Sequence, residues 1–232
     1  MSVVGTMTLG AACSRVKTPE AAEYREKWIE SFNDSIDYYQ NQMKITETQL
    51  QDCNNSVNSI LSDFEHVSNP REVTGYYIVK GWRDKIPFTT TSIYARVNES
   101  EDMELIATLA GGVFNRVSVS DGTATLYSET VPNDQALNYR HDGYNTVCFS
   151  GAAADSIAQF INLNKGSRLV LSFINGNSSK EFVIPDNEKN MIARTSMLFD
   201  VKQRQKTLQK ELWMDARKID TFRRILAEKD SI

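Results

Sequence analysis

The most regular pattern in the chain is an alternating spacing of three and four residues between apolar positions near the N-terminus. Thr18 is a candidate N-cap and Pro19 occupies the first helical position, so the pattern begins after them. Pro70 ends the pattern. A 3.5-residue spacing held over several heptads is typical of a coiled-coil seam. The predicted helix covers residues 19–67, with its seam at Ile29, Phe32, Ile36, Tyr39, Met43, Thr46, Leu50, Cys53, Val57, Ile60, Phe64 and Val67.

A second heptad pattern occupies residues 186–229, where Asp186 is the candidate N-cap. An antiparallel register in which paired residue numbers sum to 258 matches the two seams, for example Ile60 with Leu198. We therefore predict a long antiparallel two-helix coiled-coil stalk, and the alternative is an ordinary bundle packed on the rest of the chain. The second seam comprises Met191, Arg194, Leu198, Val201, Gln205, Leu208, Leu212, Asp215, Ile219, Phe222 and Leu226.

Between the two helices, at residues 73–184, the hydrophobic period changes to two. Turn signals separate short strand patterns, and Asp121-Gly122 is the clearest hairpin. One short helix is predicted at residues 152–163. The fold class is thus α+β, with an antiparallel β sandwich or barrel head inserted between the helices. The predicted strands are 76–79, 92–97, 103–109, 114–120, 123–129, 144–149, 169–174 and 180–184.

The first fourteen residues, MSVVGTMTLGAACS, are uncharged and end in small residues around Cys13. This pattern is similar to a bacterial lipobox, in which the cysteine is lipidated and becomes the mature N-terminus. We therefore expect residues 1–13 to be a lipoprotein signal peptide and Cys13 to carry the lipid. A positively charged leading segment is missing, so we expect that Met1 is not the true start. The alternative is a frayed cytosolic N-terminus.

Composition narrows the function classes. The net charge is −4, without the basic stripe that a nucleic-acid-binding protein needs, so we expect no nucleic-acid partner. No apolar run reaches the length of about 20 residues that a transmembrane helix requires. Phosphate-binding, zinc-protease and nucleophile-elbow motifs are missing from the sequence, so we predict no cofactor, no metal and no enzymatic activity.

The candidate catalytic groups are few. His141, Asp142 and Cys148 form the one combination that suggests a thiol enzyme, but the sequence favours an exposed turn at His141-Asp142-Gly143 and a core strand that carries Cys148. His66 is expected at the last turn of the first helix, where a cation complements the helix dipole. Cys53 and Cys148 are expected to be buried free thiols.

Parts of the chain resemble uncharacterised lipoproteins of Bacteroidales-type bacteria. The resemblance covers the predicted head and C-terminal helix, and it implies a lipid-anchored envelope protein without indicating an activity. It is carried by the stretches Ser92–Val97, Leu109–Gly112, Val117–Gly122, the hairpin from Lys165-Gly166 to Gly176, and the helix after Ile184.

These patterns predict an outer-membrane lipoprotein that faces the periplasm and has a structural or protein-interaction role. Its partners would be the membrane, through the lipid, and an unknown envelope protein. Trp28, Tyr38 and Trp213 lie off the seam and leave room for a homo-oligomer, and Trp82 would be a contact residue if exposed. The alternative is a module that binds a glycan or lipid on a stalk.

Overall fold

The computed structural model describes residues 19–68, 74–86, 89–134 and 136–230. These residues form three α-helices, a short 3-10 helix at Arg83–Lys85 and two antiparallel sheets. The predicted combination of helices with antiparallel strands is confirmed. The described strands form open sheets, so the closed barrel among the sequence-based alternatives is wrong. The predicted lipidation site, Cys13, lies outside the described residues.

The helices are α1 (Pro19–Leu61), α2 (Ala152–Leu163) and α3 (Asp186–Asp230). Neither long helix contains glycine, and Pro19 is their one proline, at the first position of α1, where it costs no hydrogen bond. No helix in the described part of the chain is long and apolar enough to cross a membrane.

The first helix ends at Leu61, earlier than the predicted end at Val67. Ser62 and Asp63 form a turn, and Phe64–Val67 is a strand, β1, instead of a last helical turn. Phe64 and Val67 satisfy the heptad spacing, but both are buried in the strand, where the backbone pairs with a second strand. Tertiary pairing therefore overrides the local helical pattern here.

Six strands form the first sheet, in the order β1-β2-β3-β4-β8-β7, and four form the second, in the order β10-β9-β5-β6. All eight predicted strands overlap observed strands, and the Asp121-Gly122 hairpin is confirmed. The strands after β1 are β2 (Tyr76–Val79), β3 (Ser92–Asn98), β4 (Met103–Ala110), β5 (Arg116–Ser120), β6 (Thr125–Tyr127), β7 (Asn138–His141), β8 (Tyr144–Ser150), β9 (Val170–Asn175) and β10 (Ser178–Val183).

The chain divides into two compact units. One, here the sheet unit, consists of residues 48–210 and holds the main hydrophobic core. Both sheets, α2 and the first part of α3 supply that core. Phe114 packs its ring against the rings of Phe149 and Phe173, with centroids 6.4 and 4.8 Å apart. Because these three rings come from separate strands and a loop, their contact joins distant parts of the sequence.

The other unit, here the helical unit, comprises residues 19–47 of α1 and 211–230 of α3. The Phe32 ring meets the Phe222 ring at 5.4 Å, and Tyr39 stacks on the same ring at 6.0 Å. Lys218 Nζ lies 4.4 Å from the centroid of Tyr39. Residues later in α1 contact residues earlier in α3, so the two segments run antiparallel.

Candidate interaction surface

The structure does not bring the candidate thiol-enzyme residues together. His141 is the cross-strand partner of Tyr144, whereas Cys148 lies four residues further along β8. At about 3.3 Å per strand residue, that offset is roughly 13 Å. His141 Nε2 contacts Asp142 Oδ2 at 3.0 Å in an exposed turn. At that offset the His141 ring is out of hydrogen-bonding reach of the Cys148 thiol.

His66 is on strand β1 and not at the end of a helix, so the predicted dipole role is wrong. Its Nε2 lies 2.7 Å from Glu99 Oε1, and Glu99 Oε2 accepts the backbone N–H of Gly75 at 3.0 Å. These two bonds lower the pKa of the Glu99 carboxyl. The three residues tie the β3–β4 loop to the β1–β2 connection, which is a structural role.

A pair of asparagines in the sheet unit also has a structural role. Asn145 Oδ1 accepts the Phe114 N–H at 2.9 Å, and its Nδ2 donates to Asn138 Oδ1 at 2.9 Å and to the Tyr139 carbonyl at 3.1 Å. Both asparagines are buried. The hydrogen bonds of each buried asparagine side chain hold a neighbouring loop in place. No cluster suited to a metal ion occurs in the described ranges.

A buried carboxyl group in the sheet unit has a strongly raised pKa. Glu188 is buried in the first turns of α3, and burial raises the pKa of its carboxyl to about 7. The Ile93 N–H, which donates to Glu188 Oε2 at 3.0 Å, and the charge of Lys85 act in the opposite direction. The group therefore joins α3 to strand β3.

The helical unit carries large apolar side chains that its own packing leaves exposed. Tyr24, Tyr38 and Ile45 are 75, 57 and 51% exposed. Their spacings of fourteen and seven residues correspond to nearly whole numbers of helical turns, so the three lie along one line of α1. Trp28, one turn from Tyr24, adds a half-buried ring that packs on Phe32 at 4.3 Å. These four residues are called the apolar flank below.

The two sides of α1 differ in chemistry. The apolar flank lies on one side of the stripe of α1 that contacts α3. The other side of that stripe carries only polar side chains, and all of them except Gln40 are exposed. Those residues are Glu26, Glu30, Asn33, Asp37, Gln40 and Lys44. A solvated helix surface is normally polar on both sides of its contact stripe. The apolar flank is therefore the part of α1 best suited to bind another protein surface.

The third helix contributes fewer exposed apolar side chains to the helical unit. Trp213 is 58% exposed, but the guanidinium of Arg217 lies 4.8 Å from its ring. Lys218 Nζ donates to Asp215 Oδ1 at 2.9 Å, and this bond raises the pKa of the lysine. This part of α3 is thus partly covered by its own charged residues.

The sequence identified part of this surface. Trp28, Tyr38 and Trp213 were predicted to lie off the seam, and all three are at least partly exposed. Tyr24 and Ile45 were missed, although their heptad spacing relative to Tyr38 was a usable signal. Trp82, expected as a contact residue if exposed, is buried, and Lys85 Nζ lies 3.9 Å from its ring centroid.

No protein-family model, curated protein or solved structure matches this chain.

Proposed function

We propose that the protein is a lipid-anchored cell-envelope protein, attached through Cys13 to the outer membrane and facing the periplasm, with a non-enzymatic interaction role. In this proposal α1 and α3 form a coiled-coil stalk and the two sheets form a sandwich head. The observation that carries the interaction role is the apolar flank of α1. Tyr24, Tyr38 and Ile45 are exposed in the isolated chain and Trp28 is half-buried, whereas the opposite side of the helix is polar.

The partner best suited to the flank is an amphipathic helix of another envelope protein. A row of aromatic and aliphatic side chains at heptad spacing matches the apolar stripe of a second helix. Aromatic side chains bury a large area and lose few rotamers when they are fixed, so they contribute strongly at interfaces. A second copy of this chain would fit the same chemistry and is one outcome of the test below.

Photo-crosslinking in the native envelope tests the interaction role. Ser31 is exposed and lies on the line of Tyr24 and Tyr38, so a benzoylphenylalanine placed there would face the bound partner. We expect a crosslinked species of defined mass, and its loss when the chain carries Tyr24→Glu and Tyr38→Glu. A species of twice the chain mass identifies a second copy, and any other mass identifies a different protein.

The matched control is Asn33→Glu with Gln40→Glu, which adds the same two charges to the polar side of α1. The control should retain the crosslink. If both double variants lose it, or both keep it, the apolar flank is not the binding surface.

The anchor is tested separately, by the mass of the mature N-terminus from the membrane fraction. An acyl adduct on Cys13 supports the proposed localisation, and Cys13→Ala should release the chain from the membrane. An unmodified, soluble chain would overturn the anchor while leaving the crosslinking result valid.

A further inference from the structure

The sheet unit contains a groove that differs in charge from the rest of the protein. It has a volume of about 540 Å³ and lies between the first turns of α3, the end of β2 and the turn after α2. Lys80, Lys165 and Arg194 line it, and among the described residues no carboxylate does so. This lining is basic in a chain of net charge −4, although the Asp63 carboxylate lies 3.4 Å from Arg194 Nη1.

The groove has an apolar floor and a polar rim. Val79, Trp82 and Met191 are buried and form the floor, whereas Asn187 and Asn190 are exposed on the rim. Carboxamides both donate and accept hydrogen bonds, which suits a ligand with hydroxyl groups. Lysine and arginine side chains suit an oxyanion.

The backbone around the basic residues is held in place. Lys189 is buried, and its Nζ donates to the Ser167 carbonyl at 2.8 Å, which ties the turn carrying Lys165 to α3. The Lys80 N–H donates to the Asp63 carbonyl at 3.0 Å, which fixes the turn after β2. Binding would therefore cost little ordering of the backbone.

The basic side chains that line the groove retain N–H groups that can donate hydrogen bonds to a ligand. Among the described residues, Lys80 Nζ donates to the Ser62 carbonyl at 2.6 Å, and an ammonium has three donors. Arg194 Nη1 meets Asp63 Oδ2 at 3.4 Å, and both side chains are more than half exposed, so this ion pair is weak. Lys165 is exposed and forms no ion pair with a described carboxylate.

We propose that this basic groove binds a polyol phosphate, with the phosphate held by Lys165, Lys80 and Arg194 and the hydroxyl groups by Asn187 and Asn190. The volume lies within the usual range of small-ligand sites. The polyol phosphate can come from a soluble metabolite or from the headgroup of an anionic lipid. The inference is independent of the apolar flank, because it rests on different residues in a different unit.

Methionine-methyl NMR on the full chain tests the groove. Met197 lines it and is 46% exposed, whereas Met214 is 42% exposed in the helical unit and serves as an internal control. We expect glycerol 3-phosphate to shift the Met197 resonance saturably and to leave Met214 unchanged. Glycerol alone should shift neither. The lack of a saturable Met197 shift up to about 10 mM, close to the weakest useful affinity, would overturn the proposal for the soluble ligand.

Charge-reversal variants test whether Lys165 contacts the phosphate. Lys165→Glu should weaken binding of glycerol 3-phosphate at least tenfold, about the effect of one charge-assisted hydrogen bond. Lys206→Glu makes the same change at an exposed site outside the groove and should change the affinity less than about twofold. Equal losses in both variants would indicate general charge attraction and contradict the proposed site.

Vesicles distinguish the two sources. The chain used here carries Cys13→Ala, so that no lipid anchor binds the vesicles. If it sediments with phosphatidylglycerol vesicles but not with phosphatidylcholine vesicles, and Lys165→Glu abolishes this, the lipid headgroup is the ligand. Binding of glycerol 3-phosphate without vesicle binding indicates the soluble source. Failure of both probes overturns the proposal, whereas the crosslink from Ser31 reports on the interaction role separately.

Discussion

The sheet unit and the helical unit bury their apolar side chains to very different extents. In the sheet unit, Ile93, Leu105, Val117, Ile157 and Leu171 are fully buried, and they come from both sheets and α2. In the helical unit, Ile36 and Ile219 are buried, whereas the three rings that meet across the helix pair, those of Phe32, Tyr39 and Phe222, are only half-buried. Two helices can cover each other along one stripe only, so each keeps an uncovered side. The sheet unit is therefore expected to hold most of the stability.

The largest expected difference between the two units is the loss of unfolding free energy when one phenylalanine is replaced in each. Phe173→Ala should cost about 3–5 kcal/mol of unfolding free energy, because the buried ring packs on Phe114 and little can collapse into the space. Phe222→Ala should cost roughly 1–2 kcal/mol, because its ring is already partly solvated. Urea denaturation followed by circular dichroism measures both, and equal losses would contradict the difference between the units.

A smaller effect is expected from the buried amide network of the sheet unit. Asn145→Ala leaves the Phe114 N–H and Asn138 Oδ1 without their present partner, which should cost about 2–3 kcal/mol. Asn177→Ala, at an exposed turn position, should change the unfolding free energy by less than about 0.5 kcal/mol. The same urea titration compares them, and a small loss for Asn145→Ala would mean that water replaces the amide.

The smallest effect is a pH dependence confined to the sheet unit. The pKa of Glu188 is about 7 in the folded chain against 4.5 for an ordinary glutamate, so the folded state binds more protons between these values. Its contribution is fully present below pH 4.5 and is progressively lost as the pH rises through 7.

Glu188→Gln should remove that slope, because glutamine has no proton to lose. The unfolding free energies of the variant and the parent, measured at pH 4.5, 6 and 7.5, should differ by a pH-dependent amount. The control is Glu30→Gln in the helical unit, an exposed carboxylate, which should leave the slope unchanged. Parallel curves for Glu188→Gln and the parent would refute the assignment.

The sequence predicted the elements whose periodicity is local. The boundaries of α2 match the prediction, and those of α3 match within one residue, because apolar spacing and turn residues specify both. Strand β7 was missed, since Asn138–His141 is mostly polar and forms a strand only by pairing with β8. The end of α1 was misplaced for a similar reason, as its last predicted turn pairs with β2.

The apolar flank and the basic groove also differ in how far the sequence could predict them. The apolar flank follows one helix, so heptad spacing could have revealed Tyr24 and Ile45 beside Tyr38. The basic groove is assembled from β2, the turn after α2 and the start of α3, and Lys80 is more than a hundred residues from Arg194. No local pattern indicates that such distant cations share one groove, because sheet order and helix docking bring them together.

The position of α3 in the chain has a consequence for biosynthesis. Met191, Ile192 and Leu198 belong to the main core, and the Cys53 thiol donates to the Val201 carbonyl at 3.4 Å, across 148 residues. A ribosome makes every strand before it makes α3, so the nascent sheets lack part of their core until synthesis has passed that helix. Contacts this distant in sequence also close slowly. If the protein is exported as proposed above, that delay would help to keep the chain unfolded until it has crossed the membrane.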